Sequence, residues 1–180
     1  MKEYIAKCVS ELDWSKVEAQ PITECAWSPN KAPAASVKAV FLDGKALVFR
    51  VESYAPPTRA ENTEPDSPVY QDSCLECFFS FDGKNYVNLE GNSKGALLCA
   101  TGSGRHGRQA LRTMGIVLPE LTAQVWEKGW CAQFTVPVET VCALWGRSVA
   151  KGDRFFANFY SCGDKTPSPH YASWNPIDTP

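Results

Sequence analysis

Apolar and polar positions alternate along this chain in short runs, and turn-forming pairs cut the runs at short intervals. The pairs are Asp43-Gly44, Pro56-Pro57, Asp82-Gly83, Gly91-Asn92, Lys128-Gly129, Lys151-Gly152 and Gly163-Asp164. Period-two alternation places successive side chains on opposite faces of a strand. Many short strands with regular turns predict an all-β fold, an antiparallel β-sandwich of the jelly-roll or immunoglobulin-like kind. The prediction covers residues 1–180 as one domain. "VKAVFLDGKALVFRVESY" reads as a hairpin with Asp43-Gly44 at its tip. Its second strand sets Leu47, Phe49 and Val51 against Val48, Arg50, Glu52 and Tyr54. "LTAQVWEKGWCAQFTVPV" reads as another hairpin, turning at Lys128-Gly129, and "DRFFANFYSC" as a late strand. At most one or two short helices are expected, with "VPVETVCALWG" the best candidate. Residues 55–69 carry four prolines and predict a long surface loop, and "GDKTPSPHYASWNPIDTP" predicts a terminal loop or extended tail.

The stretch "SCLECFFSFDGKNYVNLEG" carries the chemistry. As a strand, Ser73 to Phe81 turns Leu75, Cys77, Phe79 and Phe81 one way, and Cys74, Glu76, Phe78 and Ser80 the other. On the partner strand Val87 and Leu89 form the apolar face, and Tyr86, Asn88 and Glu90 the polar one. A two-residue loop at Asp82-Gly83 would set polar groups against core groups. A three-residue loop, Asp82-Gly83-Lys84, pairs Phe79 with Val87, Cys77 with Leu89, Phe78 with Asn88 and Glu76 with Glu90. Register keeps the apolar set on one side, so the odd loop is expected. Like charges directly opposite destabilise a sheet. A fold that carries such a pair satisfies it with arginine, a cation or a hydroxyl-rich ligand, and Arg50, Arg105 and Arg108 are candidate partners. The face is then a ligand-binding surface or a solvated ion-pair cluster, and the pattern leaves both open. Cys74 and Cys77, three apart on a strand, point to opposite faces. A CxxC chelates metal or exchanges disulfides only when both sulfurs meet, so two plain thiols are expected.

Composition narrows the classes. The 180 residues carry net charge −2, with 21% charged and 44% hydrophobic, which gives no electrostatic case for nucleic acid. No run approaches 18 apolar residues, so no membrane span is expected. The opening "MKEYIAKCVSELDWSK" has no apolar core of a signal peptide, and the sequence as written reads as cytoplasmic. Its eight cysteines are expected to be thiols rather than a disulfide framework. His106 lies in a Gly/Arg-rich stretch without the spacing of a phosphate loop, and His170 suits a loop-anchoring hydrogen bond.

"VYQDSCLECFFSFDGKNYVNLEGNSKGALL" resembles the central hairpin of the family 9 carbohydrate-binding modules, especially the family 9-like branch. "GSGRHGR" resembles that family's Gly-x-x-Arg segment, and "ANFYSCGDKTPSPHYASWNPI" is similar to its late strand and loop. The matching segments keep the family's order over residues 68–177. The resemblance implies a β-sandwich related to DOMON-type domains, in which two aromatic residues clamp a terminal sugar while acidic, amide and arginine side chains bond its hydroxyls. For this chain it implies Tyr70, where the family usually has tryptophan, and Trp174 as the clamp. Glu76, Asn88, Glu90 and Arg105 are the implied polar set. It further implies non-catalytic binding of a mono- or oligosaccharide, in the setting of polysaccharide or xylan breakdown, and a place of work outside the cell. Family members often hold structural calcium, for which Asp72, Asp82 and Asp164 are the candidate ligands. The sequence ends at "WNPIDTP", where family members generally continue, which predicts an exposed sheet edge or a partner chain over it.

Two other readings compete. Glu76 and Glu90 could approach the separation of about 5 Å that retaining glycoside hydrolases use, although no deep cleft is legible. Alternatively the sandwich is a scaffold or interaction protein with a decayed sugar site. Exposure of Tyr70 and Trp174 across a gap distinguishes the clamp from the scaffold.

Overall fold

The computed structural model describes residues 2–25 and 28–177. The strands run β1 (Lys7–Val9), β2 (Gln20–Ile22), β3 (Ala35–Leu42), β4 (Ala46–Ser53), β5 (Cys74–Ser80) and β6 (Tyr86–Asn92). Then come β7 (Leu97–Gly102), β8 (Gln109–Ala110), β9 (Glu120–Trp126) and β10 (Gly129–Pro137). Helix α1 (Val138–Trp145), β11 (Phe156–Cys162) and β12 (Tyr171–Ser173) complete the order. They form a two-sheet sandwich. The first sheet runs β1-β3-β4-β10-β9, with β2 also on β3, and the second runs β12-β11-β5-β6-β7-β8. Pairing is antiparallel throughout except for β1 on β3.

Alternation decides what lies between the sheets. Val37, Phe49, Val51 and Phe134 of the first sheet meet Leu75, Phe79, Leu89 and Phe159 of the second in one core. Phe49 is its centre, with ring centroids of Phe79, Phe155 and Phe159 at 5.7, 6.1 and 5.7 Å. Aromatic pairs at such spacing add to the area they bury. Helix α1 follows Pro137 and stops at Gly146, whose φ of 63° closes the last turn with an N–H to Cys142 O bond of 2.8 Å.

The Asp43-Gly44 hairpin forms as expected, with Leu42 opposite Ala46. Three expectations are corrected. The β9–β10 hairpin pairs Trp126 with Gly129, so Glu127-Lys128 makes the turn. Gly91-Asn92 is strand rather than turn, because Gly91 faces the first sheet, where a Cβ would lie 2.7 Å from Leu121 Cδ2. The tail is not merely a loop: Tyr171–Ser173 pair with β11. The edge of β12 is also partly covered, since Glu24 and Ser173 exchange backbone bonds of 2.9 and 2.8 Å. Among the described residues, no helix is long and apolar enough to cross a membrane.

Candidate functional site

The β5–β6 register fixes the site. Glu76 pairs with Glu90, Cys77 with Leu89, Phe78 with Asn88 and Phe79 with Val87, as the odd-length loop requires. On the other side of β5, Cys74 pairs with Cys162, Glu76 with Tyr160 and Phe78 with Asn158. The outward face of the second sheet thus carries Glu76, Glu90, Asn88, Tyr160 and Cys162 together. This face is not a solvated ion-pair cluster: Glu76 is 8% exposed, Glu90 4% and Asn88 0%.

The buried charges are held by few groups. Cys162 donates its S–H to Glu76 Oε1 at 2.7 Å, and Asn88 Nδ2 donates to Glu90 Oε1 at 2.7 Å. Arg108 Nη1 stands 3.7 Å from the same Glu90 oxygen. Asn88 Oδ1 and Glu90 Oε2 are buried with no partner among the described residues. A buried acceptor left this way costs about 1–3 kcal/mol. Burial, and then the charge of Glu90, push the Glu76 carboxyl up to about 8. Glu90 is also raised by burial, against the pull of Asn88 and Arg108. Both shifts favour a proton shared by the pair, in the direction that two carboxylates in one dry site push each other. Burial and the Glu76 charge raise the neighbouring Tyr160 as well.

Aromatic rings frame this face. Phe78 stacks on Tyr86 at 5.6 Å with an interplanar angle of 13°, and meets Tyr160 at 4.9 Å. Tyr70 is 38% exposed, and its carbonyl accepts the Asp164 N–H at 3.0 Å. Tyr171 is half-buried opposite Cys162 and packs against the cluster of Val69, Cys74, Ala96 and Cys162.

The carbohydrate-binding family 9 model matches residues 7–180. The chain belongs to that family. As a family 9 member it is a non-catalytic carbohydrate-binding module. A crystal structure of a candidate carbohydrate-binding protein from Bacteroides uniformis ATCC 8492 is similar at 26% identity and a TM-score of 0.78, covering 98% of this chain and 91% of that one. A family 9 module from Caldicellulosiruptor kristjanssonii in complex with cellotriose is 15% identical with a TM-score of 0.63, over 96% of this chain and 80% of that one. The module from the same organism in complex with glucose is 15% identical with a TM-score of 0.64, over 93% and 80%. The last two share the fold. No curated protein sequence matches significantly.

Within this family 9 sandwich the expected residues separate. Glu76, Asn88 and Glu90 lie together, and the Tyr70 carbonyl lies 3.9 Å from the Sγ of Cys162, which bonds Glu76. Trp174 does not join them. Along β12 the side chains alternate, so Tyr171 and Ser173 oppose Cys162 and Tyr160, while Ala172 and then Trp174 face the core. Trp174 is 4% exposed and packs its edge on Phe159 at 5.8 Å, so neither face of its ring is open to a sugar. Reading the tail as a strand would have found Tyr171 as the aromatic on the polar side.

Arg108, rather than Arg105, is the guanidinium that stands beside Glu90. Arg105 is exposed and makes no ion pair among the described residues, although its charge reaches Tyr171. Arg50 is occupied on the first sheet by Glu52 at 2.6 Å. The calcium candidates do not converge, and the one trio of metal-ligating side chains that does converge among the described residues contains none of them. Asp72 instead takes the N–H groups of Glu61 and Asn62 at 3.0 Å each and the Asn92 amide at 2.9 Å, with the Arg59 guanidinium beside it as an ion pair at 3.2 Å. Burial raises its carboxyl, but these hydrogen bonds outweigh burial and hold it below the usual range. Asp82 caps its own hairpin, accepting from the N–H groups of Lys84 and Asn85 at 2.8 and 2.9 Å. Asp164 is exposed, and its charge reaches Glu76, Glu90 and Tyr171. His170 anchors its loop through Nδ1 and Ser168 O at 2.8 Å, and His106 is exposed. All eight cysteines are free thiols, five of them buried.

Proposed function

We propose that the outward face of the second sheet binds the hydroxyl rim of one terminal sugar of a gluco-configured mono- or oligosaccharide. The observation that carries this reading is the pair of buried oxygens without partners, Asn88 Oδ1 and Glu90 Oε2, beside Arg108. Sugar hydroxyls donate to such oxygens and accept from guanidinium, in fixed geometry. Arg108 is 24% exposed at its side chain, so it is the member of the set that an entering sugar meets first. Tyr70 and Tyr171 supply aromatic surface for the apolar C–H faces of the ring. The complexes of the similar modules with glucose and cellotriose support this choice of ligand. Xylo-oligosaccharides belong in the same panel, because xylan breakdown is one setting for such a module.

Calorimetry with glucose, cellobiose, cellotriose and xylo-oligosaccharides tests the reading. The unmutated protein binds at least one of them and releases no reducing sugar. Asn88→Ala and Glu90→Gln weaken binding at least tenfold, about 1.4 kcal/mol, while Arg105→Ala does not. The scaffold reading draws on the burial of Trp174, which leaves no second exposed ring opposite Tyr70, and on the near-complete burial of Glu76 and Glu90. Absence of binding to every sugar in the panel would decide for it.

A further inference from the structure

One group on the same sheet is richer than sugar recognition requires. Cys74, Glu76 and Cys162 are all buried, and one ligating atom from each lies within 4.8 Å of the others. Three rigid positions present them: Cys74 and Glu76 are two apart on β5, and Cys162 is the direct partner of Cys74 on β11. No loop need move to bring them together. We propose that Cys74, Cys162 and Glu76 form a binding site for one thiophilic divalent cation of the zinc class.

The donor set fits that class. Two cysteines, which give up their thiol protons to solvent on coordination, and a carboxylate match zinc's preference for sulfur and oxygen, and they mismatch calcium and magnesium, which take oxygen alone. A cavity of about 140 Å³ touches both cysteine positions at the strand ends, where Ser53 and Trp130 of the first sheet also line it. The CxxC has no part in this, since Cys77 lies in the core on the other face. Its first cysteine finds its partner across the sheet at Cys162, 88 residues on in the chain.

Cobalt titration of the reduced full chain, without saccharide, reads this site independently of sugar binding. One cobalt per chain is expected, with a thiolate-to-cobalt charge-transfer band that zinc displaces. Cys74→Ser and Cys162→Ser should each abolish the band, and Glu76→Gln should weaken cobalt binding at least tenfold. Cys142→Ser, an exposed thiol elsewhere, should leave it unchanged. X-ray absorption of the zinc-loaded unmutated chain needs no variant to fold, and should show two sulfurs at about 2.3 Å with oxygen at about 2.0–2.2 Å. The proposal is overturned by folded reduced protein that gives no band, by a band that survives either cysteine variant, or by a zinc shell without two sulfurs.

Discussion

At the scale of single residues, exposure decides what an aromatic ring can do. Tyr70 offers 38% of its surface and Trp174 4%, and only an open ring face can stack on a sugar. Trp174→Ala therefore removes core packing, at about 3–5 kcal/mol for a large buried aromatic. Calorimetric melting should show that loss, while the fraction still folded binds sugar as before. Tyr70→Ala should do the reverse, weakening the sugar with little change in melting. If the milder Trp174→Phe kept its melting temperature and lost the sugar, Trp174 would be returned to the clamp. The same physics explains what could be read from the sequence. Glu76, Asn88 and Glu90 were legible because strand parity and an odd loop fix their common side. Arg108 was legible only as one candidate beside Arg105, because both sit in a glycine-rich loop with no period to separate them. Tyr171 was hidden because a three-residue strand carries too little alternation to show itself against proline and serine.

At the scale of elements, the proline-rich segment before β5 is a strap whose densest attachment is Asp72. Asp72 accepts from Glu61, Asn62 and Asn92 and faces Arg59. Asn92 in turn accepts the Lys94 and Ala96 N–H groups at 3.1 Å each, so one carboxylate links the strap to the turn after β6. Ser73 Oγ adds the Thr58 N–H at 2.9 Å. Composition identified residues 55–69 as a loop, but it carried no sign of these bonds, which join positions 10 to 20 apart in sequence. The alternating strands β3 to β6 and β9 to β11 were readable for the opposite reason: each is long enough to repeat its pattern. Asp72→Ala leaves several buried donors without an acceptor and leaves Arg59 with Glu61 alone. A loss of about 3–5 kcal/mol is expected for breaking a buried charged network. Limited proteolysis should find new cuts between residues 59 and 68 before the sandwich melts. Cuts confined to the chain ends, with unchanged melting, would show that the strap is held by its other contacts.

At the scale of the whole molecule, the second sheet has two buried faces of opposite character. The inner one is apolar and shared with the first sheet, and the outer one holds acids, thiols and amides under loops. The outer face makes stability depend on pH. Folding lifts the Glu76 carboxyl from its ordinary 4.5 to about 8, so over that interval the folded state holds a proton that the unfolded chain has released. Stability then falls as pH rises from about 4.5 toward 8, by at most about 1.4 kcal/mol per pH unit for one proton. Glu90 and Asp164 act in the same direction, and Arg108 opposes them on Glu76. Asp72 contributes the opposite limb. Its carboxyl is lowered, so its stabilisation is complete above its ordinary 3.8 and is lost as acid protonates it. The two limbs place the maximum on the acid side of neutrality. A loss of 1 kcal/mol moves the midpoint of a domain this size by about 2–4 °C. Melting of chelator-treated, reduced protein should therefore fall steadily from pH 5 to pH 8. Glu76→Gln, which keeps the shape without the ionisable proton, should flatten that fall. A midpoint that held level or rose across this interval in the unmutated chain would mean that Glu76 is ionised in the folded protein. The outer face would then have to hold both carboxylates charged, compensated by Arg108, the Asn88 amide, the Cys162 S–H and entering solvent.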